Sequence, residues 1–431
     1  MERAHRETRL ATHLDMTYFS LTMSFIEESA AAFGMEAQDA GRLRLASEEI
    51  FTYLAEYRKG EALSVETEDG CYYVGVKFLL HADPDSPPPH LPERGPGPLE
   101  PGDDLASMGL IIASRFVDRL HMLEDGGVGL VKEKTYPEAG TLVRTPVPAL
   151  ARFHVAAPEN EALKHFVRQV AAYYGPQFFP VDFCFPGKVV DMVAQGQYRV
   201  LVATGGGAEV AGGIMWRTEG ARLIEAFGPY LFDQPPQYGM SEALVDGLLM
   251  EIAKTEAFCV TDIYPTPELP HGYFELLGSI DRIKPDGLRE ARLFYYRQLK
   301  EDPGLSVWAH PDLVSFLEQE YERLFLARHI RVTTGGGEAR PAHAFFSLRF
   351  DRVLSSAILR LLWDGADARE VLENHVKSLR AEGFSDIFFE MDLAHTREVD
   401  LTPLLFRQGF APRLVFPHGG GADMVAFQYQ G

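Results

Sequence analysis

Four sets of residues in this 431-residue sequence invite a chemical reading. The runs Gly205–Gly207 and Gly335–Gly337 suggest phosphate loops, but each lies between two strand-like segments and no Lys-Ser/Thr follows. They read instead as hairpin turns. Cys71, Cys184 and Cys259 are single and far apart, and the 14 histidines are scattered without an HExxH pair. That pattern predicts buried small side chains in a reducing compartment and no metal site. Glu48 and Glu49 stand together in the helical run LASEEIFTYL, where composition alone gives a solvated helix face. Gln237, Gly239 and Ser241 fall in PPQYGMSEALVDGLL, which on its own reads as a helix start with Ser241 as the cap.

The elements that must position these groups belong to an ordinary globular chain. Hydrophobic residues make up 46% and charged residues 24%, and the length fits about three domains. No apolar stretch approaches the roughly 20 residues that span a bilayer. MERAHRETRL lacks the apolar centre of a secretory signal, so a cytoplasmic protein is expected. The net charge of −21, with no Lys/Arg cluster, disfavours nucleic acid and anionic lipid as partners.

Residues 1–147 read as a first domain. Helical spacing over Met16 to Phe33 and over 41–57 is followed by strands ALSVETE and CYYVGVKFLL, with a turn at Asp69-Gly70. A Pro/Gly-rich loop covers 84–101, SMGLIIASRFVDRLHML reads as an amphipathic helix, and Gly126-Gly127 turn into a last strand. This order resembles the GHKL nucleotide-binding fold, in its anti-sigma-factor serine kinase branch. The resemblance implies an ATP/Mg site with Glu48 as the catalytic base, Thr52 in the place of the metal-holding asparagine, Asp83 at the adenine strand and Gly109 at the lid. In the alternative register Glu49 and Tyr53 take the first two places. Asparagine is missing in either, and a shorter threonine hydroxyl is a poor magnesium ligand.

Residues 148–300 and 301–431 read as two copies of one domain. ATGGGAEV and TTGGGEAR, TEAFCVTDIY and AEGFSDIFFE, and ELLGSIDRIKPDG and FRQGFAPRLVFPHGGG recur in the same order at nearly constant spacing. Each copy reads strand, glycine turn, strand, helix, strand, then a short helix into glycine and a final hairpin. Copy one also opens with the strand-helix pair FHVAAPENEALKHFVRQVAAYYG. The pattern resembles the GNAT acyltransferase fold, with LLFRQGF before APRLVF matching a late motif. That family holds the pyrophosphate of acyl-CoA on a helix N-terminus. The resemblance places Gln237, Gly239 and Ser241 at this position in copy one. In copy two Asp364, Asp367 and Glu370 stand there, repelling an anion while suiting a helix cap. Tyr173, Tyr174, Phe178, Phe179, Phe183 and Phe185 fall where the fold overlies its acceptor groove, and also fit an apolar core edge.

The fold class expected is therefore α/β (α+β): a GHKL-type sandwich followed by two GNAT-like domains, the second degenerate. The function expected is a cytoplasmic signalling regulator resembling an anti-sigma factor/serine kinase, with a degraded ATP site and a protein partner such as a sigma or anti-sigma-antagonist-like regulator. Its GNAT-like domains then bind ligand or protein. The alternatives are an acetyl-CoA-dependent N-acyltransferase acting through copy one, and an active ATP-dependent serine/threonine kinase.

Overall fold

The computed structural model describes residues 6–81, 113–123, 127–206, 209–220, 222–283, 289–334, 340 and 343–431. The fold is mixed α+β. In chain order the elements begin β1 (Arg6–His13), α1 (Phe19–Ala32), α2 (Ala37–Tyr57), β2 (Ala62–Asp69), β3 (Tyr73–His81), β4 (Arg119–Met122) and β5 (Val128–Glu133). They continue with β6 (His154–Ala156), α3 (Asn160–Tyr173), α4 (Pro186–Ala194), β7 (Arg199–Thr204), β8 (Val210–Glu219), β9 (Leu223–Leu231), α5 (Met240–Ile252), β10 (Cys259–Tyr264), β11 (Glu275–Ile283) and β12 (Arg289–Gln298). Last come β13 (Leu305–Ala309), α6 (Pro311–Arg323), β14 (Arg328–Val332), β15 (Phe345–Asp351), β16 (Ser356–Trp363), α7 (Ala368–Ala381), β17 (Asp386–Asp392), α8 (Thr396–Val399), α9 (Thr402–Arg407), β18 (Phe410–Phe416) and β19 (Met424–Tyr429). No described helix is long and apolar enough to cross a membrane.

The chain divides into two compact units. One gathers Met1–Thr135 with Gly336–Phe350 and Ala357–Glu382. Its first segment forms an antiparallel sheet in the order β1-β2-β3-β5-β4. Alternation along β2 and β3 sends Leu63, Val65, Val74, Val76 and Phe78 to one face, where Met23 and Ile26 of α1 and Leu43, Ile50 and Phe51 of α2 meet them. Each such side chain, fully buried, contributes about 2 kcal/mol. Phe345 belongs to the same core, with Leu362 and Trp363 packed against it. The helix expected over SMGLIIASRFVDRLHML ends earlier than its periodicity suggests. Residues 113–116 are helical, but Arg119–Met122 alternates exposed and buried and pairs antiparallel with β5. Here strand pairing overrides local helical spacing.

The other unit comprises Tyr136–Gly335, Asp351–Ser356 and Gly383–Gly431. Its main sheet runs β11-β12-β10-β9-β8-β7-β6. β7 and β8 pair antiparallel, so Gly205 and Gly206 lie at a hairpin connection as expected; Gly335–Gly337 fall outside the described residues. The order β11-β12-β10 recurs as β18-β19-β17. The two stretches read as late motifs differ. LLFRQGF runs from α9 into β18, whereas ELLGSID, expected to hold a short helix, lies wholly within β11. Gly278, at φ +147°, sits at a register shift against β12, where an extra residue is absorbed without breaking the strand.

Candidate functional site

In the first unit, α2 carries Glu48 half-buried and Thr52 exposed, one turn apart. Glu48 is held by Arg44 at 3.0 Å, and Arg44 also reaches Glu27 at 2.9 Å. Burial first, and then the neighbouring Glu48, push the Glu49 carboxyl above its ordinary range. Tyr53, four residues past Glu49, points the other way. It is buried, and its ring stacks on Trp363 at 5.8 Å between centroids, while Trp363 lies 5.0 Å from Phe345. Asp83, Gly109 and the loop 84–101 lie outside the described residues. The structure therefore brings Glu48 and Thr52 to one helix face and leaves the rest of the expected nucleotide site undescribed.

In the second unit, the site is built where two parallel strands separate. β9 and β10 run in register from Leu223/Cys259, with an irregularity after Asp262, to Phe227/Tyr264. β10 then ends, while β9 continues and pairs on its other side with Gly212 and Gly213 of β8. The edge of β9 that β10 leaves behind is met by hydroxyls. Tyr174 donates to the Leu231 carbonyl at 3.0 Å and accepts from the Leu231 N–H at 2.8 Å. Thr266 donates to the Pro229 carbonyl. These contacts satisfy backbone groups that would otherwise be stranded.

Beyond β9 the chain turns through Pro236–Tyr238 into α5. Gly239 is the residue before the helix, in the left-handed region at φ +66°, a conformation that favours glycine. Being glycine, this cap position makes no side-chain cap hydrogen bond. Ser241, expected as the cap, is buried and donates instead to the Glu268 carbonyl. A serine two residues into the helix can reach a neighbouring loop as readily as the helix's own N–H groups, and sequence spacing does not distinguish the two. Gln237 is exposed at the same end, and Glu242 is exposed in the first turn. The first N–H groups of such a helix suit an anion, which the Glu242 carboxylate opposes.

Two carboxyls near this point were not singled out from sequence. Glu268 has a buried oxygen with no partner among the described residues. Burial raises its pKa against a hydrogen bond from its own backbone N–H. Asp262 is fully buried on β10; one oxygen accepts from the Tyr264 N–H at 3.0 Å and the other has no partner among the described residues. Burial pushes Asp262 well above the carboxylate range. Glu268 lies in TPELP, which reads from sequence only as a loop, and Asp262 looks like one polar residue in a strand. The aromatic residues after α3 pack as a core edge. Tyr174 lies 5.2 Å and Phe183 6.0 Å from Tyr230, whose hydroxyl reaches the Phe178 carbonyl at 2.8 Å.

At the start of α7, Asp364 pairs with Arg340 at 3.1 Å, while Asp367 pairs with His343 at 2.8 Å and accepts from the Ala344 N–H. Asp367 stands at the cap position without a side-chain cap bond, its oxygens already taken. Asp364 and Asp367, expected to cap this helix, therefore anchor the preceding segment instead, while Glu370 is exposed in its first turn.

No protein-family model matches this chain, and no curated protein does. Solved structures do. An aminoglycoside 6'-acetyltransferase type Ii matches at 13% identity and TM-score 0.26, over 35% of this chain and 99% of its own. A putative acetyltransferase from Acinetobacter baylyi ADP1 matches at 15% and 0.29, over 34% and 93%. A GNAT superfamily phosphinothricin acetyltransferase from Sinorhizobium meliloti, in complex with AcCoA, matches at 16% and 0.29, over 35% and 90%.

Proposed function

We propose that the module built on β6–β12 is an acyl-CoA-dependent N-acyltransferase. The observation that carries this reading is the end of pairing between β9 and β10, beyond which Ser241, in the first turn of α5, bonds the backbone of Glu268, a half-buried residue whose carboxyl has a raised pKa. In this reading the first N–H groups of α5, with Gln237 and the backbone at Gly239, hold the pyrophosphate of the acyl donor. Ser241 supports the neighbouring loop through the Glu268 carbonyl. Glu268 takes a proton from the acceptor amine as nitrogen attacks the acyl carbon. The carbon–nitrogen bond forms, the carbon–sulfur bond breaks, and the sulfur leaves as thiolate. A carboxyl raised above its ordinary pKa is the better base for that step. Acetyl-CoA should raise the melting temperature saturably. Glu268→Gln should keep that rise but stop amine-dependent release of the CoA thiol; unchanged release would remove Glu268 from the base role.

A second reading concerns the first unit and is favoured by Tyr53. In the register that begins at Glu49, the position of the missing asparagine is filled by a buried ring stacked on Trp363. A nucleotide-fold module so covered fits a regulator that recognises a protein, such as a sigma or anti-sigma-antagonist-like factor. Mg-ATP should then leave the melting temperature unchanged in the wild type and in Thr52→Asn. A saturable rise in either returns the kinase reading, with Glu48 as base.

A further inference from the structure

We infer that Arg282 and Arg292, on the hairpin of β11 and β12, hold a carboxylate of the acceptor, so that the substrate is a small amine carrying a carboxylate group. The inference rests on the acyl-CoA reading of this module and names its acceptor class.

The hairpin outruns the strand beside it. β12 pairs with β10 from Gln298 to Tyr295, opposite Cys259 to Asp262, whereas β11 and β12 stay paired as far as Ile283 and Arg289. Arg292 therefore stands beyond the last β10 pair, on the side of the sheet where β9 and β10 part. Its Nη2 donates to the Ile263 carbonyl at 2.5 Å. Its Cζ lies 4.4 Å from the Tyr264 ring centroid and 5.4 Å from that of Phe294. Tyr264 in turn lies 5.7 Å from Phe227 of β9. A guanidinium fixed between rings in this way is already ordered before any ligand arrives.

Register supplies the second cation. Ile280 is opposite Arg292 and Glu290 is opposite Arg282, so the two half-buried arginines are diagonal neighbours on one face. Diagonal positions are about 7–8 Å apart, within reach of long side chains, and like charges there repel unless an anion lies between them. The chain's own acids do not supply it. Glu290 is exposed, Asp281 lies on the other face and pairs with Arg413 at 2.6 Å, and Asp262, opposite Tyr295, is on that other face too. Arg282 makes no hydrogen bond or ion pair among the described residues, and the Nε of each arginine is buried without a partner among them. In a chain of net charge −21, this pair of cations lacks acceptors that a planar carboxylate can provide to a guanidinium fork.

The test offers the full chain the common amino acids, β-alanine and γ-aminobutyrate, each beside its carboxamide, and reads binding by calorimetry with and without acetyl-CoA. At least one amino carboxylate should bind saturably, and its carboxamide about tenfold more weakly. Arg282→Gln, which gives up no hydrogen bond among the described residues, should weaken that carboxylate about tenfold and leave acetyl-CoA affinity unchanged. Arg292→Lys, which keeps the charge but loses the fork, should weaken it as well; circular dichroism confirms that both variants remain folded. With acetyl-CoA present, the carboxylate that binds should also drive release of the CoA thiol. No binding by any amino carboxylate, equal binding of carboxylate and carboxamide, or affinity unchanged in Arg282→Gln overturns the inference. Acetyl-CoA binding with thiol release by amines regardless of a carboxylate also overturns it, while keeping the acyl-CoA reading. Arginine-dependent carboxylate binding in a chain that does not bind acetyl-CoA supports the anion site and refutes that reading instead.

Discussion

His375 offers a quantitative check on the packing of the first unit. It lies on the buried face of α7, 2% exposed, with its ring edge-on to Phe346 at 6.0 Å. Its Nε2 has no hydrogen-bond partner among the described residues. Burial, and secondarily the Arg115 charge, lower its pKa from 6.5 to about 4. The difference, 6.5 − 4, is 2.5 pH units. At 1.36 kcal/mol per unit this corresponds to about 3 kcal/mol. The sign follows from proton uptake: between pH 6.5 and about 4 the unfolded chain binds a proton that the native state refuses. Stability is therefore fully present above 6.5 and falls as the medium is acidified, with a slope approaching about 1.4 kcal/mol per pH unit. His375→Leu keeps an apolar side chain of similar size and removes the titration. Urea unfolding of both proteins through this range should show the wild type losing more stability than the variant, by up to about 3 kcal/mol. Parallel pH profiles would refute a neutral, desolvated imidazole at this position.

Asp262→Asn should stabilise the protein at neutral pH. Asp262 has a raised folded pKa, so the native state keeps a proton that the unfolded chain releases, and stability is lost as pH rises above 3.8. Melting temperatures at mildly acid and mildly alkaline pH should diverge in the wild type more than in the variant, and equal divergence would exclude a buried protonated carboxyl. The Arg328 side chain is buried between Asp302 at 2.7 Å and Asp423 at 2.6 Å. Arg328→Met leaves those carboxylates uncompensated and should cost about 3–5 kcal/mol in chemical unfolding; a loss below about 1 kcal/mol would mean that water already screens them. Glu242→Gln removes a negative charge from the first turn of α5 and should tighten acetyl-CoA binding about two- to fivefold by calorimetry. A weaker complex would place the phosphates elsewhere.

The elements of this fold were easier to read from sequence than its site. The turn at Asp69-Gly70, the strands around it and the final hairpins all carry local signals, and each forms as expected. What sequence spacing missed depends on partners distant in the chain. Arg119–Met122 is a strand because β5 lies beside it. Ser241 turns from its helix because the Glu268 carbonyl is near, and Tyr174 reaches Leu231 across 57 residues. The α2 motif separated an exposed Thr52 from a buried Tyr53, a distinction that depends on Trp363. Periodicity marks which face of an element is apolar. It does not say which polar group closes a gap in a sheet, and the candidate site here consists of such closures.

The most direct test of the acyl-CoA reading is a calorimetric titration of the full chain with acetyl-CoA, run beside Gly239→Val. Saturable binding to the wild type is predicted, with marked weakening in the variant because valine is strained at φ +66° and displaces the helix start. No binding to the wild type, or equal binding by both, would contradict a donor site at the N-terminus of α5.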